Sequence, residues 1–261
     1  MSDLGDFVRH AEAMADAVRP VVLGYFAADV PFVTKADASP VTAADREAEA
    51  TMRRLIEAAW PAHGILGEEY GADRPAASFV WVLDPIDGTK SFVTGKPLFG
   101  TLIALLRDGR PIVGVIDMPA LGERWVGAEG RPTTFNGRPV RVRTCDALDR
   151  AWLYATSPRM FGGSDADAFE RLRSGCYADV WGADLYAYGL LARGRVDLVC
   201  EASLKPYDYC AAVPVIEGAG GRITDWQDGL LGLGSDGRVL AAGDARMHAA
   251  ARAALAGGWP G

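Results

Sequence analysis

Residues 79–83, Phe-Val-Trp-Val-Leu, run without a break into Asp84-Pro85-Ile86-Asp87-Gly88-Thr89. A run so short and so apolar reads as a buried strand. Pro85 has no N–H for a sheet ladder and restricts the residue before it, which predicts that the strand stops at Asp84. Any fold that buries this strand therefore delivers two carboxylates, three residues apart, to a loop at its end.

The rest of the chain reads as two sets of layers. Leu4, Phe7, Val8, Ala11, Met14, Ala15, Val18, Val21, Val22 and Tyr25 form a helical stripe. A loop is expected over 29–40. A second helix follows over 41–60, with Thr42 and Asp45 spaced like a capping box and an end near Trp60-Pro61. Residues 99–119 read as two strands joined at Arg107-Asp108-Gly109-Arg110, and residues 123–142 add short strands with turns at 128–131 and 135–138. Beyond Thr144, strand-like and helix-like segments alternate, which suggests a second α/β set. The chain has 261 residues, near the upper end for one domain. The expected division is an N-terminal α+β lobe over 1–143 and a C-terminal α/β lobe over 144–261, with a cleft between them.

Composition narrows the partners. Apolar residues make up 49% and charged residues 23%, as in soluble globular proteins. A formal charge of -7 with no lysine-rich or arginine-rich face argues against nucleic acid, and a phosphorylated substrate would need cations. Cys145, Cys176, Cys200 and Cys210 have no CxxC spacing, and His10, His63 and His248 do not cluster, so a zinc site is not expected. The acidic start and the lack of an apolar run of about 18 residues predict a cytoplasmic protein with reduced cysteines and no membrane partner.

The chemistry concentrates at residues 84–89. Asp84 and Asp87 can face one ion, and Gly88 permits close backbone approach. If a short helix begins there, the N–H groups of Gly88 and Thr89 point towards an anion such as phosphate. An anion beside two acids requires cations, and an oxygen-rich site suits magnesium. The competing reading is an Asx turn, with both carboxylates bonded to backbone amides. Glu68 and Glu69 are either further ligands or a solvated pair on a turn. Asp208 opens an expected helix over 208–221, as an N-cap or as a ligand from the far side of the cleft. Asp45 has the same ambiguity at its own helix start.

Residues 81–92, WVLDPIDGTKSF, resemble the first signature of the inositol monophosphatase superfamily, and residues 207–221, YDYCAAVPVIEGAGG, resemble its second. The resemblance implies a layered α-β-α-β-α sandwich of the sugar-phosphatase type, usually a homodimer, that hydrolyses a small phosphate monoester with two to three Mg2+ ions per site. It implies a first ion on Glu68, Asp84 and the carbonyl of Ile86, and a second on Asp84, Asp87 and Asp208. Glu68 would also serve a third ion that positions the water, and Asp45 would pair with Thr89 to orient or deprotonate the nucleophile.

Within the superfamily, residues 97–127 and 201–226 look most like the histidinol-phosphate phosphatases of histidine biosynthesis. Inositol 1-phosphate or another sugar or polyol phosphate is the alternative substrate, and a catalytically silent phosphometabolite sensor is the reading outside enzymes. Glu201 is expected at the substrate's non-phosphate end, and Asp184 either at the rim or as a helix cap. Gly88, Thr89 and Asp87 complete the expected substrate contacts, and Lys205 is placed to hold the acidic cluster or phosphate. The segment Val180-Trp181-Gly182-Ala183-Asp184 lacks an arginine common in those enzymes.

Overall fold

The computed structural model describes residues 3–27 and 42–258, with the Thr42 side chain also outside the description. The loop expected over 29–40 and the Thr42 half of the expected capping box therefore lie outside the described residues. The chain opens with two helices, α1 (Leu4–Ala27) and α2 (Thr42–Ala59). Then come β1 (Gly64–Gly67), β2 (Gly71–Asp73), β3 (Phe79–Asp87), α3 (Thr89–Val93), β4 (Gly100–Arg107), β5 (Arg110–Met118), β6 (Glu123–Ala128), β7 (Arg131–Phe135) and β8 (Arg138–Pro139). Their eight strands form one sheet in the order β2-β1-β3-β4-β5-β6-β7-β8. All pairs are antiparallel except β1 with β3. Asp108-Gly109 and Asn136-Gly137 have positive φ at both positions, as two-residue hairpins require, and they close β4–β5 and β7–β8.

The second half contributes β9 (Trp152–Ala155), α4 (Ser164–Gly175), β10 (Ala178–Trp181), α5 (Tyr186–Ala192), β11 (Leu198–Glu201), α6 (Pro206–Tyr209), α7 (Ala212–Gly218), β12 (Arg222–Thr224), β13 (Val239–Ala242) and α8 (Ala245–Leu255). Its sheet runs β10-β9-β11-β13-β12, parallel where β9 meets β10 and β11 and antiparallel on both sides of β13. The single helix expected over 208–221 is two helices, α6 and α7. Pro214 supplies the reason, because its ring conflicts with the carbonyl four residues earlier, at Cys210, where the break falls.

Three apolar clusters define the layers. Phe7, Met14, Met52 and Ile56 of α1 and α2 bury one face of the large sheet, against Trp81, Leu83, Ile103 and Leu105. Its other face, Val80, Val82, Leu102 and Ala104, meets α5 and α7, which also cover Val199 and Ala241 of the small sheet. On the outside of the small sheet, Leu153, Cys200 and Leu240 pack against Phe169, Leu172, Met247 and Ala251 of α4 and α8. The order is helices, sheet, helices, sheet, helices, the layered sandwich that the sequence predicts. The middle layer packs through backbone. A Cβ on Gly114 of β5 would stand 2.0 Å from the Ala211 carbonyl oxygen, and one on Gly127 of β6 would stand 2.4 Å from Pro214 and Val215.

Candidate active site

The register of β3 against β4 sets Asp84 opposite Leu102 and Asp87 opposite Gly100, so three steps on one strand match two on the other. The strand does not stop at Asp84 as expected. It bulges instead, which accommodates Pro85 without a ladder N–H. The Thr101 hydroxyl donates to the Pro85 carbonyl at 2.8 Å and pins the bulge. In a regular strand, residues three apart point to opposite faces. The extra residue shifts that alternation by one. Ile86 accordingly falls among Trp81 and Leu83 on the α1–α2 side, which leaves Asp84 and Asp87 together on the face towards the small sheet.

Asp208 reaches the same place from α6. Carboxylate oxygens of Asp84, Asp87 and Asp208 all lie within 4.8 Å of one another. Asp208 is not the N-cap: it is the third residue of α6, and its Oδ2 accepts the N–H of Lys205 at 2.7 Å. Capping chemistry and the acidic cluster therefore share one side chain. Asp87 Oδ2 accepts the N–H of Leu185 at 2.9 Å, ahead of α5. Glu68 follows β1, with its N–H bonded to the Leu83 carbonyl at 3.2 Å, and its carboxyl is near enough to Asp84 for the two to influence each other's protonation.

Burial and mutual repulsion raise the proton affinity of every acid here. Asp84 is pushed up by burial and then by Glu68, Asp87 and Asp208, and Asp87 by burial and then by Asp184 and Asp208. Burial likewise brings Glu68 to about 7 and Asp208 to about 6, with Lys205 pulling the latter down. Asp84 Oδ1 is buried, and no donor among the described residues reaches it. A cluster of like charges with an orphaned oxygen is costly unless protons or cations neutralise it. An all-oxygen donor set with several negative charges fits a hard divalent metal, and the acidic cluster is a possible metal site.

The remaining expected residues fall into two groups. Gly88 has φ 79°, and a Cβ there would come within 2.8 Å of the Leu98 carbonyl oxygen. The backbone turns at Gly88 into α3, whose first N–H groups have no intrahelical partner. The Thr89 hydroxyl donates to the Ile86 carbonyl at 3.2 Å, not to Asp45 as expected. Asp45 is 3% exposed, its Oδ1 has no hydrogen-bond partner among the described residues, and burial with the nearby Glu68, Glu69 and Glu49 raises it to about 8. Competition explains the missing pair: the Ile86 carbonyl is three residues back along the same turn.

Asp184 is not the cap of α5. Leu185 holds the N-cap position without a side-chain bond, and its N–H goes to Asp87. Asp184 instead sits beside Gly88, with its proton affinity raised by burial and lowered by Lys96, Lys90 and Ser91. Glu201, at the end of β11, is 2% exposed. Its Oε1 accepts from the Thr156 N–H at 3.1 Å and from the Thr156 hydroxyl, and its Oε2 accepts from the Tyr188 hydroxyl at 2.7 Å. Burial raises it to about 7.

One charged residue near the site escaped sequence reasoning. Glu49 of α2 is fully buried and accepts from the N–H groups of Glu69, at 2.7 Å, and Tyr70, at 3.2 Å. The available signal was its place four residues after Asp45, on the flank of the buried Ala44, Ala48 and Met52 stripe.

The inositol monophosphatase family model matches residues 3–257. The bifunctional phosphatase IMPL2, chloroplastic, of Arabidopsis thaliana is 48% identical over 95% of this chain and 74% of its own length. A histidinol-phosphatase of Mycobacterium tuberculosis is 36% identical over 85% of this chain and 88% of its own. A solved inositol monophosphatase structure from Zymomonas mobilis superposes with a TM-score of 0.91 at 46% identity, over 98% of this chain and all of that one. No described helix is long and apolar enough to cross a membrane. A family match along almost the whole chain, with relatives named as phosphatases over most of its length, makes this chain a member of the inositol monophosphatase family and a phosphoric monoester hydrolase.

Proposed function

We propose that this phosphatase hydrolyses L-histidinol phosphate to L-histidinol and phosphate, with Mg2+ held by Glu68, Asp84, the Ile86 carbonyl, Asp87 and Asp208. The observation that carries the metal assignment is the convergence of Asp84, Asp87 and Asp208 around a buried Asp84 oxygen that no donor among the described residues reaches. Bound divalent cations supply counter-charge for phosphate and make water a nucleophile near neutral pH.

The chain's own groups do the rest. The N–H groups at Gly88 and Thr89 bind phosphate oxygens at the start of α3 and hold phosphorus for in-line attack. Asp45, whose Oδ1 has no hydrogen-bond partner among the described residues, takes the proton of the attacking water. The Thr89 bond to the Ile86 carbonyl keeps the Thr89 hydroxyl at the loop. The ester bond then breaks, and the departing alkoxide collects a proton as histidinol leaves.

Substrate choice rests on charge beyond the metal ligands. Asp184 lies beside the phosphate cradle at Gly88, and Glu201 braces Thr156 and Tyr188 behind it. Histidinol phosphate carries an ammonium and an imidazole, which such carboxylates favour over a neutral polyol. The histidinol-phosphatases among the relatives support this reading. Inositol 1-phosphate is the second reading, favoured by the 46% identical Zymomonas mobilis enzyme. The test is phosphate release with Mg2+, compared as kcat/KM. Histidinol phosphate should exceed inositol 1-phosphate by at least about tenfold, equal to about 1.4 kcal/mol of discrimination. The opposite ranking hands the site to the polyol phosphate.

A further inference from the structure

We propose that Glu49 is the positioning residue for Glu68: its buried carboxylate fixes the turn that carries this metal ligand and so sets the affinity for the cation. The inference rests on the reading of Glu68 as a ligand. Glu68 has two anchors on the backbone around it. Its own N–H is held by the Leu83 carbonyl, next to Asp84. The N–H groups of the two residues that follow, Glu69 and Tyr70, both end on Glu49. Glu68 thus stands between a strand that carries its partner Asp84 and a helix that carries Asp45, and its backbone cannot shift without breaking one of these bonds.

The grip is built from both sides. Arg53, one turn further along α2, binds Glu49 Oε1 at 2.7 Å, donates to the Gly71 carbonyl and lies 5.8 Å from the centre of the Tyr70 ring. Glu49 and Arg53 together therefore hold residues 69–71 by two amides, one carbonyl and one aromatic face. On the turn's side, Gly67 makes room. A Cβ there would lie 1.9 Å from Glu49 Oε1 and 2.6 Å from Oε2. A fully buried carboxylate is costly without hydrogen-bond donors, and here the Glu69 and Tyr70 amides and Arg53 supply them. The same donors make it rigid, and partners that orient a metal ligand from outside the coordination shell are worth about 10–100-fold in metal affinity.

The experiment measures Mg2+ binding to the whole chain by calorimetry, and separately the Mg2+ concentration for half-maximal phosphate release. Glu49→Gln keeps the shape but offers one acceptor where two amides and Arg53 converge. Gly67→Ala leaves Glu49 intact and displaces its carboxylate. Both should weaken Mg2+ binding about tenfold or more and raise the half-maximal Mg2+ in proportion, while kcat at saturating Mg2+ stays within about threefold. Met52→Ala removes a core side chain from the same helix, and should lower thermal stability without moving Mg2+ affinity. Glu68→Gln is the control for the underlying reading. If Glu68→Gln weakens binding and the Glu49 and Gly67 variants stay within about twofold of wild type, the positioning role is wrong and the ligand role stands. If Glu68→Gln leaves Mg2+ affinity unchanged, Glu68 is not a ligand and both ideas fall. Should Glu49→Gln not fold, Glu49→Asp and Gly67→Ala decide by the same thresholds.

Discussion

Asp87 Oδ2 accepts the backbone N–H of Leu185 at 2.9 Å, so a proposed metal ligand on the large sheet also fixes the start of α5, the helix that leads into β11 of the small sheet. The two duties separate in Asp87→Asn. The amide oxygen still accepts from Leu185, whereas the carboxylate charge is gone. Activity at saturating Mg2+ should fall on the order of 100-fold, the usual effect of removing one electrostatic contact to the transition state. The melting temperature should stay within a few degrees. A variant that loses its fold along with its activity would show that Asp87 serves α5 alone.

Asp84→Asn should cost more activity and give more stability. Asp84 is buried among Glu68, Asp87, Asp208 and Asp45, and no donor among the described residues meets its Oδ1. If it serves two ions, its loss should reduce activity on the order of a thousandfold or more. In EDTA at pH 8 the same change removes a repelled charge, and the variant should resist urea better than wild type by at least about 1 kcal/mol. Equal stability of the two proteins in EDTA would mean that the cluster is not electrostatically frustrated.

The pH dependence of the metal-free protein should run opposite to ordinary acid unfolding. Asp45 is raised to about 8 and Asp208 to about 6, burial being the main cause for both. In the unfolded chain these carboxyls release their protons near pH 4. Above that pH the folded state holds more protons than the unfolded one, so the stabilisation they give is complete below pH 4 and is lost as pH rises towards 8. Glu68 is also raised, to about 7, but its side chain keeps contact with solvent, which screens its share of the effect. Urea unfolding in EDTA should show stability falling by at least about 2 kcal/mol from pH 5.5 to 8.5. Mg2+ competes with those protons, so its added stabilisation should grow over the same range. A flat EDTA profile would refute the raised proton affinities.

Local pattern carried most of the fold. The apolar stripe of α1, the run into Asp84 and the Asp-Gly and Asn-Gly turns each mark an element by period or by backbone chemistry that needs no partner. What stayed hidden depends on pairing. Asp84 and Asp87 face the same way only because β3 bulges against β4, and the spacing of the two acids cannot reveal a register. Asp208 looks like a cap in sequence because it makes a capping bond in the structure as well; which other acids it meets depends on how α6 is laid against β3. The same limit applies to Asp184, whose expected cap role falls to Asp87, about a hundred residues away in sequence. Glu49 was invisible for a related reason, since its partners are amides of a turn that carries no signal of its own.

The contact between β5 and the segment leading into α7 gives a last prediction, one that tests how Asp208 is delivered. Gly114 lies under the Ala211 carbonyl, and a Cβ there would meet it at 2.0 Å and the Pro214 ring at 2.8 Å. Both neighbours are stiff, so Gly114→Ala must lift the backbone between α6 and α7 off the sheet. Overpacking of this kind costs about 1–3 kcal/mol. Ala211 is three residues after Asp208, so the displacement should also carry that carboxylate away from Asp84 and Asp87. Urea unfolding in EDTA reads the stability loss without the metal, and the Mg2+ requirement for phosphate release reads the ligand shift. Lower stability with an unchanged Mg2+ requirement would mean that the Lys205 N–H, which holds Asp208 Oδ2, positions the carboxylate independently of α7.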